Sequence, residues 1–572
     1  MVSETGRTIS SEREPLLDRQ GTTFDSEHLV QDRLLEGPLN EDDDCTHYLA
    51  DSKSDLLVCF VGKDAANPEE VPESRRRLGV VSAIFLIFNR IIGTGIFSTP
   101  SIILRSAGSV GVTMLMWMIG AAIAAAGAAV YVELGTGLPR SGGEKTYMEY
   151  LYRRPRYLVS CMYASYALFI GWTSANSTAF GQYVLHALGI APGTWNVRLV
   201  GISCTMFCLA MHGMFMKWGI RMQDWVGIFK VFVLLAIILS GVFHLLGVPG
   251  FGLEDGVEAP HNLEWNTMWE DTTKDVNSLV TGMFNVAWAY IGYHNANYVL
   301  SEVKNPIRTI KIAAPVAVLF VAMVYLSVNI AYFAVVSKDD ILGSRQIVAA
   351  LFFRNLFGAR IEKTLSIIIA LSTLGNISVT LFAYGRVIQE LGREAILPWS
   401  PFFASNKPFG TPLAGLTTTA LVSSAIMIAA PPGDAYLLML SMSAYPLAIF
   451  NTLVSAGLML LSTRWYRSYN WRPPFRAYKP VVVWFFFANL FLITAPFVPP
   501  APGFKQYEHL PYWSHAVVAV SISLIGICYW LVRFNWLPRK GGYMLRRQWI
   551  KTEDGSSRAT FRKVPVEVRI DA

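Results

Sequence analysis

The chain has 572 residues, of which 53% are hydrophobic and only 16% are charged, and its mean hydropathy is +0.37. Soluble proteins average about 25% charged residues, so this composition excludes an ordinary soluble enzyme and indicates a membrane protein. The net charge of +7 is unevenly distributed, because residues 1–74 hold 18 acidic and 6 basic side chains. An acidic, polar segment is therefore followed by a basic, apolar body.

Residues 1–77 contain few aromatic residues and no long apolar run. We therefore predict a disordered, acidic cytosolic tail without a cleavable signal peptide. Residues 12–17 match an acidic dileucine sorting signal, although a pattern this short also arises by chance. Lys53 and Lys63 are the lysines of this tail, and they are candidate ubiquitin acceptors for ubiquitin-ligase adaptors. The alternative is that both are solvated charges.

The body of the chain, residues 78–537, is a succession of apolar segments that are each long enough to cross roughly 30 Å of hydrocarbon. We predict an all-α multi-pass membrane protein with twelve transmembrane helices, at about residues 79–103, 110–136, 158–185, 197–216, 223–247, 277–300, 312–336, 363–385, 412–430, 435–462, 480–499 and 512–537. Lys and Arg are concentrated in the loops that lie on the same side of the membrane as the N-terminus. This distribution predicts cytosolic termini and a cytosolic tail at 538–572.

The first and the sixth predicted helices carry polar, glycine-bearing motifs at mid-membrane depth. Residues 90–97 read Arg-Ile-Ile-Gly-Thr-Gly-Ile-Phe, and residues 288–295 read Trp-Ala-Tyr-Ile-Gly-Tyr-His-Asn. Glycine lowers the cost of unwinding a helix, and an unwound turn frees N–H groups at a positive half-helix start. Breaks at matching positions of two five-helix halves are typical of inverted-repeat transporters. Close helix packing is the alternative explanation for the glycines.

Four motifs resemble those of the amino acid–polyamine–organocation (APC) superfamily, and they occur in the family's order. They are residues 91–97, residues 139–144 (Pro-Arg-Ser-Gly-Gly-Glu), residues 302–308 (Glu-Val-Lys-Asn-Pro-Ile-Arg) and residues 392–398 (Gly-Arg-Glu-Ala-Ile-Leu-Pro). Within this superfamily the chain resembles the L-type amino acid transporters. Residues 429–436 are also similar to the fungal high-affinity methionine permeases.

The resemblance implies a LeuT-type 5+5 inverted repeat with discontinuous helices 1 and 6. It implies secondary active import of L-methionine, or of cysteine or other neutral amino acids, by alternating access. Proton coupling is the expected driving force. The expected location is the plasma membrane, and two alternatives remain: an amino acid exchanger of the vacuolar membrane and a nutrient receptor that does not transport.

The resemblance also implies how the substrate is held. The backbone N–H groups of Thr94 and Gly95 would bind its carboxylate, and the carbonyls of Ile91, Trp288 and Ile291 would receive its ammonium group. The physical chemistry agrees with this assignment, because a zwitterion fits between a positive half-helix start and uncovered carbonyl groups.

Three side chains of the sixth helix are further candidates for substrate binding. Trp288 aligns with the family's aromatic outer gate, and a packed interface tryptophan is the alternative. Tyr293 and His294 replace the Trp-Asn pair of the wider L-type pattern. His294 either lines the side-chain pocket, carries a proton, or is a packing histidine.

Two cationic residues lie well inside predicted helices, away from the helix ends, where an unpaired charge is costly. Lys230, about one third into the fifth helix, corresponds to a lysine that replaces a sodium ion in the family. It is therefore the candidate coupling residue, and snorkelling to the cytosolic edge is the alternative. Arg90 requires either a carboxylate, such as that of Glu133, or a water-filled pathway.

Other classes of function receive no support from the sequence. Residues 142–146 fail the Walker spacing, and no catalytic constellation or metal-ligand cluster stands out. We therefore predict that the protein is not an enzyme and that its partners are the amino acid, the proton and the lipid bilayer, with no cofactor, metal or nucleic acid. The loop at about 186–196 lacks the cysteine that joins animal L-type transporters to a heavy chain, so no disulfide-linked heavy chain is expected.

Overall fold

The computed structural model describes residues 79–93, 95–140, 142–344, 348–431, 433–464, 466, 471–499, 507–551 and 557–565. The predicted acidic tail, its dileucine pattern, Lys53 and Lys63 lie outside the described residues. What the structure does describe is mostly helical, as predicted.

The helices of the first half run from residue 80 to residue 245. They are α1 (Val80–Ile91), α2 (Gly95–Ser98), α3 (Pro100–Ala107), α4 (Val110–Gly137), α5 (Glu144–Leu151), α6 (Leu158–Phe169), α7 (Ser174–Ala187), α8 (Thr194–Gly213) and α9 (Met216–Leu245).

The second half begins after a long loop and ends in two strands. Its elements are α10 (Val276–Ala289), a 3-10 helix (Asn295–Glu302), α11 (Pro306–Val335), α12 (Lys338–Gly343), α13 (Val348–Phe357), α14 (Ala359–Arg393), α15 (Ser400–Ala404), α16 (Leu413–Ala429), α17 (Ala435–Leu461), α18 (Lys479–Thr494), a second 3-10 helix (Ala495–Phe497), α19 (Ser514–Trp530), a π-helical turn (Leu531–Trp536), α20 (Leu537–Gly541), β1 (Tyr543–Lys551) and β2 (Ser557–Pro565).

Ten helical stretches of the described chain are long and apolar enough to cross a membrane. All twelve predicted segments contain helix, but the sixth and the ninth do not reach that length as continuous helices. The sixth is divided into α10 and a 3-10 helix, and α16 of the ninth has 17 residues. At 1.5 Å per residue, α16 spans about 25 Å, slightly less than the hydrocarbon core.

Three apolar segments are interrupted rather than continuous. The first breaks between α1 and α2, and the sixth breaks after α10. The third breaks between α6 and α7, at residues 170–173, which the sequence pattern did not predict. Interrupted backbone at membrane depth occurs where protein or a cavity surrounds it, so these three breaks indicate the interior of the bundle.

Small residues of α4 allow the broken sixth segment to pack closely against this helix. A Cβ atom on Gly127 would lie 2.7 Å from the ring of Tyr293, and one on Gly135 would lie 2.4 Å from Oδ1 of Asn297. Both distances are far below van der Waals contact, so a larger residue would displace the segment. Small residues serve this purpose in membrane helix packing generally.

The predicted C-terminal tail contains an antiparallel hairpin of β1 and β2. Arg547 of β1 is only 6% exposed, and its guanidinium lies 3.5 Å from the carboxylates of both Glu149 and Glu394. On β2, the ring of Phe561 packs against Tyr157 and Phe534. The hairpin therefore covers the face of the bundle that α5 and the loop after α14 form.

Arg547→Ala is expected to loosen the hairpin from this face, because two partly buried carboxylates lose a cation that they share. Limited proteolysis and hydrogen exchange of residues 543–565 should show faster cleavage and faster exchange in the variant. The matched control is Arg562→Ala, because Arg562 is exposed on β2 of the same hairpin. Equal protection of the two variants would show that Arg547 does not hold the hairpin.

Candidate functional site

At the first break, three consecutive carbonyl groups each accept a hydrogen bond from a side chain. Helix α1 ends at Ile91, and the backbone of Ile92 is extended. Asn376 donates to the carbonyl of Arg90 at 3.2 Å, and Lys230 donates to that of Ile92 at 2.7 Å. The carbonyl between them, of Ile91, accepts from Tyr325 at 3.0 Å. Because buried carbonyls must be paired, these three side chains fix the shape of the break.

Tyr325 also joins the first break to the second. Its hydroxyl lies 3.0 Å from the carbonyl of Ala289, the last residue of α10, as well as 3.0 Å from that of Ile91. A hydroxyl has one proton, so it donates to one of these carbonyls at a time. Tyr325 is thus shared between the two interrupted helices, and it comes from α11, which packs on α1.

For the transport that the family resemblance implies, Tyr325→Phe is expected to raise the KM about three- to tenfold. Loss of one hydrogen bond of about 0.5–1.5 kcal/mol leaves the two broken ends less firmly held in the binding geometry. The matched control is Tyr332→Phe on the same helix, since the buried Tyr332 hydroxyl has no hydrogen-bond partner among the described residues. Substrate titration of initial uptake rates would measure both, and an unchanged KM for Tyr325→Phe would contradict the bridging role.

The second break brings the sixth segment against the first. Helix α10 ends at Ala289, and Gly292 has a φ of 134°, a conformation that side chains of L-residues rarely adopt. A Cβ atom on Gly95 would lie 2.9 Å from that of Ala289. The two breaks therefore touch, and glycine is required on both sides of the contact.

A small cavity lies between the two breaks. Its lining combines residues of both breaks with aromatic and amide side chains: Arg90, Ile91, Gly93, Gly95, Trp172, Asn176, Trp288, Ala289, Ile291, Asn376 and Ser443. Four of the residues predicted for substrate binding are among them, namely Ile91, Gly95, Trp288 and Ile291. Thr94, predicted with them, lies outside the described residues.

Tyr293 and His294, also predicted to bind substrate, are placed away from this cavity. The Tyr293 ring packs against Tyr131, and its hydroxyl accepts a hydrogen bond from Asn451. The helical phase explains this placement, because the turn after Gly292 directs the side chain toward α4. His294 lines a second, smaller pocket, together with Arg90.

Lys230 lies behind the first break and not in the cavity lining. Its side chain is 1% exposed, and its ammonium group reaches the carbonyl of Ile92. The predicted alternative, snorkelling to the membrane edge, is therefore not the conformation observed. A buried ammonium group at the carbonyl end of α1 occupies a position where a cation is favoured electrostatically.

Arg90 lines both pockets. The carboxylate of Glu133, the predicted alternative partner, is engaged elsewhere: it accepts from the indole of Trp471 at 3.0 Å and from the backbone N–H of Ala477 at 2.8 Å. The Arg90 guanidinium instead interacts with the hydroxyl of Tyr384. Arg90 thus contributes a positive charge to the lining of both pockets.

Several lining residues were not predicted as binding residues from the sequence. Asn176 and Asn376 hydrogen-bond each other at 3.0 Å, so they join α7 to α14 as well as lining the cavity. Trp172 stacks on Tyr384 with ring centroids 4.0 Å apart. The break that carries Trp172 has a sequence signal in Gly171, which follows an apolar run.

In the described part of the chain, no group of three or more His, Cys, Asp or Glu side chains is placed to hold a metal ion. The cavity is surrounded by backbone carbonyl groups, the start of a half-helix and one guanidinium group. Such groups bind a small zwitterion reversibly.

Comparison with known proteins identifies the relatives of this chain. The sequence model described as amino acid permease matches residues 78–523. The high-affinity methionine permease of Saccharomyces cerevisiae is 41% identical over 498 residues, which are 86% of this chain and 85% of that protein. The low-affinity methionine permease of the same yeast is 30% identical over 85% of this chain and 87% of that protein.

A mammalian relative is more distant. The b(0,+)-type amino acid transporter 1 of Mus musculus is 27% identical over 81% of this chain and 90% of that protein. The resemblance that the motifs at residues 91–97, 139–144, 302–308 and 392–398 suggested is thereby confirmed.

Proposed function

The chain belongs to the amino acid permease family, and on this premise we propose that it imports L-methionine across the plasma membrane by proton-coupled alternating access. As a permease it is a multi-pass membrane transporter of amino acids and not an enzyme. Its partners are therefore an amino acid and the lipid bilayer. The identity of that amino acid, the coupling ion and the membrane belong to the proposal.

The observation that carries the proposal is the pair of touching helix breaks with a cavity between them. Carbonyl groups of Ile91, Trp288 and Ile291 face an ammonium group, and N–H groups of Thr94 and Gly95 face a carboxylate in this assignment. The support is geometric: residues on both sides of each break line one cavity. A LeuT-type arrangement of twelve membrane helices, in which helices 1 and 6 move against a scaffold, is the architecture that we propose for it.

Methionine is supported by the relatives and by the character of the lining. Two relatives are named methionine permeases. Trp288, Ile291 and Ala289 give the cavity an apolar and aromatic side, which suits a thioether because sulfur is polarizable and favours aromatic edges. We propose that Trp288, which packs toward Tyr436, closes this side as an outer gate. Cysteine and other small neutral amino acids are the expected secondary substrates.

Lys230 is the proposed coupling residue, because its ammonium group takes the place of a cation behind the first break. Its contact with the carbonyl of Ile92 supports this role, since a change in its charge alters the end of α1 directly. Lysine titrates readily in buried surroundings, whereas a fixed structural cation would more often be arginine.

The proposed topology places both termini in the cytosol. The hairpin of β1 and β2 shares one face of the bundle with α5 and with Glu394, and the loops on this face are those that carry most Lys and Arg in the sequence. Ubiquitin-ligase adaptors acting on Lys53 or Lys63 would control its residence at the plasma membrane.

Uptake of radiolabelled methionine into permease-deficient cells, at an acidic and at a neutral external pH, tests this function. We expect saturable uptake that is faster at acidic pH and that unlabelled methionine suppresses. Uptake of a different solute, without methionine uptake, would refute the substrate. Methionine exchange without net uptake would indicate an exchanger, and methionine binding without either would indicate a receptor.

A further inference from the structure

A buried carboxyl group, Glu144, lies next to the second pocket and has no role in the substrate contacts above. Glu144 begins α5 and is 1% exposed. Its Oε1 atom lies 3.1 Å from the hydroxyl of Tyr131 and 3.4 Å from Nε2 of His294, which is itself 3% exposed. Its other oxygen, Oε2, has no hydrogen-bond partner among the described residues. A carboxylate in such a place would be costly.

The hydrogen bonds around Tyr131 limit where its single hydroxyl proton can go. The side-chain nitrogen of Asn489 donates to the carbonyl of Phe485. The Oδ1 atom of Asn489 is therefore the acceptor for the side-chain nitrogen of Asn451, 3.2 Å away. This fixes the amide of Asn451 with its Oδ1 toward the Tyr131 hydroxyl, 3.0 Å away. Tyr131 thus faces two acceptors, Oδ1 of Asn451 and Oε1 of Glu144, but its hydroxyl has one proton and can donate to only one of them.

If Glu144 is a carboxylate, one of these two contacts of the Tyr131 oxygen has no proton between its oxygens, whichever way the hydroxyl turns. Both contacts are hydrogen bonds only if the carboxyl group of Glu144 carries a proton and donates it to Tyr131, while Tyr131 donates to Asn451. The chain of bonds from α18 through α17 and α4 thus favours the neutral acid at Glu144.

His294 is consistent with the same assignment. Its Nδ1 atom has no hydrogen-bond partner among the described residues. In the neutral ring with the hydrogen on Nε2, this atom is a lone pair, whereas in the charged ring it would be a buried, unpaired N–H donor. An unpaired donor on a charged ring costs more than an unpaired lone pair. The extra proton of the pair therefore resides on Glu144.

The groups around the pair are hydroxyls and one cation. Six tyrosines face it: Tyr131 on α4, Tyr147 on α5, Tyr163 on α6, Tyr293 at the second break, Tyr298 in the 3-10 helix and Tyr384 on α14. Arg90 on α1 is the charged residue near His294. Since His294 belongs to the second break, a movement of this break changes the surroundings of Glu144.

From this geometry we propose that Glu144 is a proton-binding site of the transport cycle, with His294 as the neighbour that stabilises its proton. This proposal rests on the proton coupling proposed above and adds a second site to Lys230. One proton enters from outside and binds the carboxylate of Glu144 to give the neutral acid. After the second break moves, the same proton leaves to the cytosol, and the carboxylate is restored.

Reconstituted full-length protein separates this proposal from the proposed function. Methionine counterflow at equal pH measures the carrier itself, and accumulation driven by an imposed pH gradient measures coupling. The wild-type protein should show both. Glu144→Gln should keep counterflow within about threefold and lose most gradient-driven accumulation. Glu390→Gln on α14, which changes a carboxylate paired with Arg393, is the matched control and should retain both.

A second variant, Tyr131→Phe, tests the direction of the hydrogen bond. If Tyr131 accepts from the neutral acid, its loss weakens the protonated form, and the pH of half-maximal uptake should fall by about half to one unit. If Tyr131 donates to a carboxylate, the midpoint should rise instead, which would overturn the assignment. Full accumulation in Glu144→Gln would overturn it as well. Absence of gradient-driven accumulation in the wild-type protein would instead refute proton coupling as a whole.

Discussion

Lys230→Met should lower methionine uptake at acidic pH by at least about fivefold and should flatten what remains of its pH dependence. The substitution removes the ammonium group that lies 2.7 Å from the carbonyl of Ile92. A buried carbonyl that loses its partner costs about 1–3 kcal/mol, which corresponds to roughly 5- to 150-fold in an equilibrium that depends on it. Uptake assays across external pH, normalised to surface expression, would measure both effects.

The control for this experiment is Lys217→Met, because Lys217 is exposed near the start of the same helix. Its uptake and pH profile should equal those of the wild-type protein. Lys230→Arg separates charge from titration, since arginine stays charged at every accessible pH. A Lys230→Met protein with the uptake and pH profile of the wild type would remove Lys230 from the mechanism.

Gly292→Ala should abolish most transport, with a loss of roughly tenfold or more. At a φ of 134°, any side chain is strained, and a Cβ atom would lie 2.8 Å from Cγ of Arg90 and 3.0 Å from the backbone nitrogen of Ile91. Because one of these atoms belongs to the backbone of the first break, it cannot rotate away. Overpacking of this kind costs about 1–3 kcal/mol, and the strained backbone adds to that cost.

The matched control is Gly343→Ala, since nothing lies within 4 Å of a Cβ atom there and Gly343 sits at the end of α12. Methionine binding to the purified protein separates a damaged site from poor expression. If the Gly292→Ala protein bound methionine with the wild-type affinity, methionine binding would tolerate separation of the two breaks. We expect that affinity to fall while the control stays unchanged.

The helix breaks were predictable because their signal is local. Glycine beside polar residues in an apolar run, as in residues 90–97 and 288–295, favours an interruption wherever the chain folds. The partners of the break were not predictable in the same way. Tyr325 is 234 residues from Ile91, and Asn376 is 286 residues from Arg90, so their contacts arise only from the packing of distant helices.

Two further differences have separate physical causes. Tyr293 was predicted to bind substrate, but the turn at Gly292 rotates its side chain toward α4, and no periodic pattern reports such a rotation. The hairpin at residues 543–565 did have a signal, since Asp554-Gly555 between two stretches rich in apolar and aromatic residues is typical of a hairpin turn. The prediction of a cytosolic tail at 538–572 does not include this hairpin, because it rests only on the position of the segment after the last apolar span.

The three hydrogen bonds to the carbonyls of residues 90–92 also limit how the first segment can move. They come from α9, α11 and α14, and breaking all three together would cost roughly 2–5 kcal/mol. A movement that keeps them is cheaper, so the turn should stay in place while the helices on either side of it swing. The turn is then a hinge. Between conformations, the residues of the first segment should move least at Ile92 and most toward Val80 and Ala107.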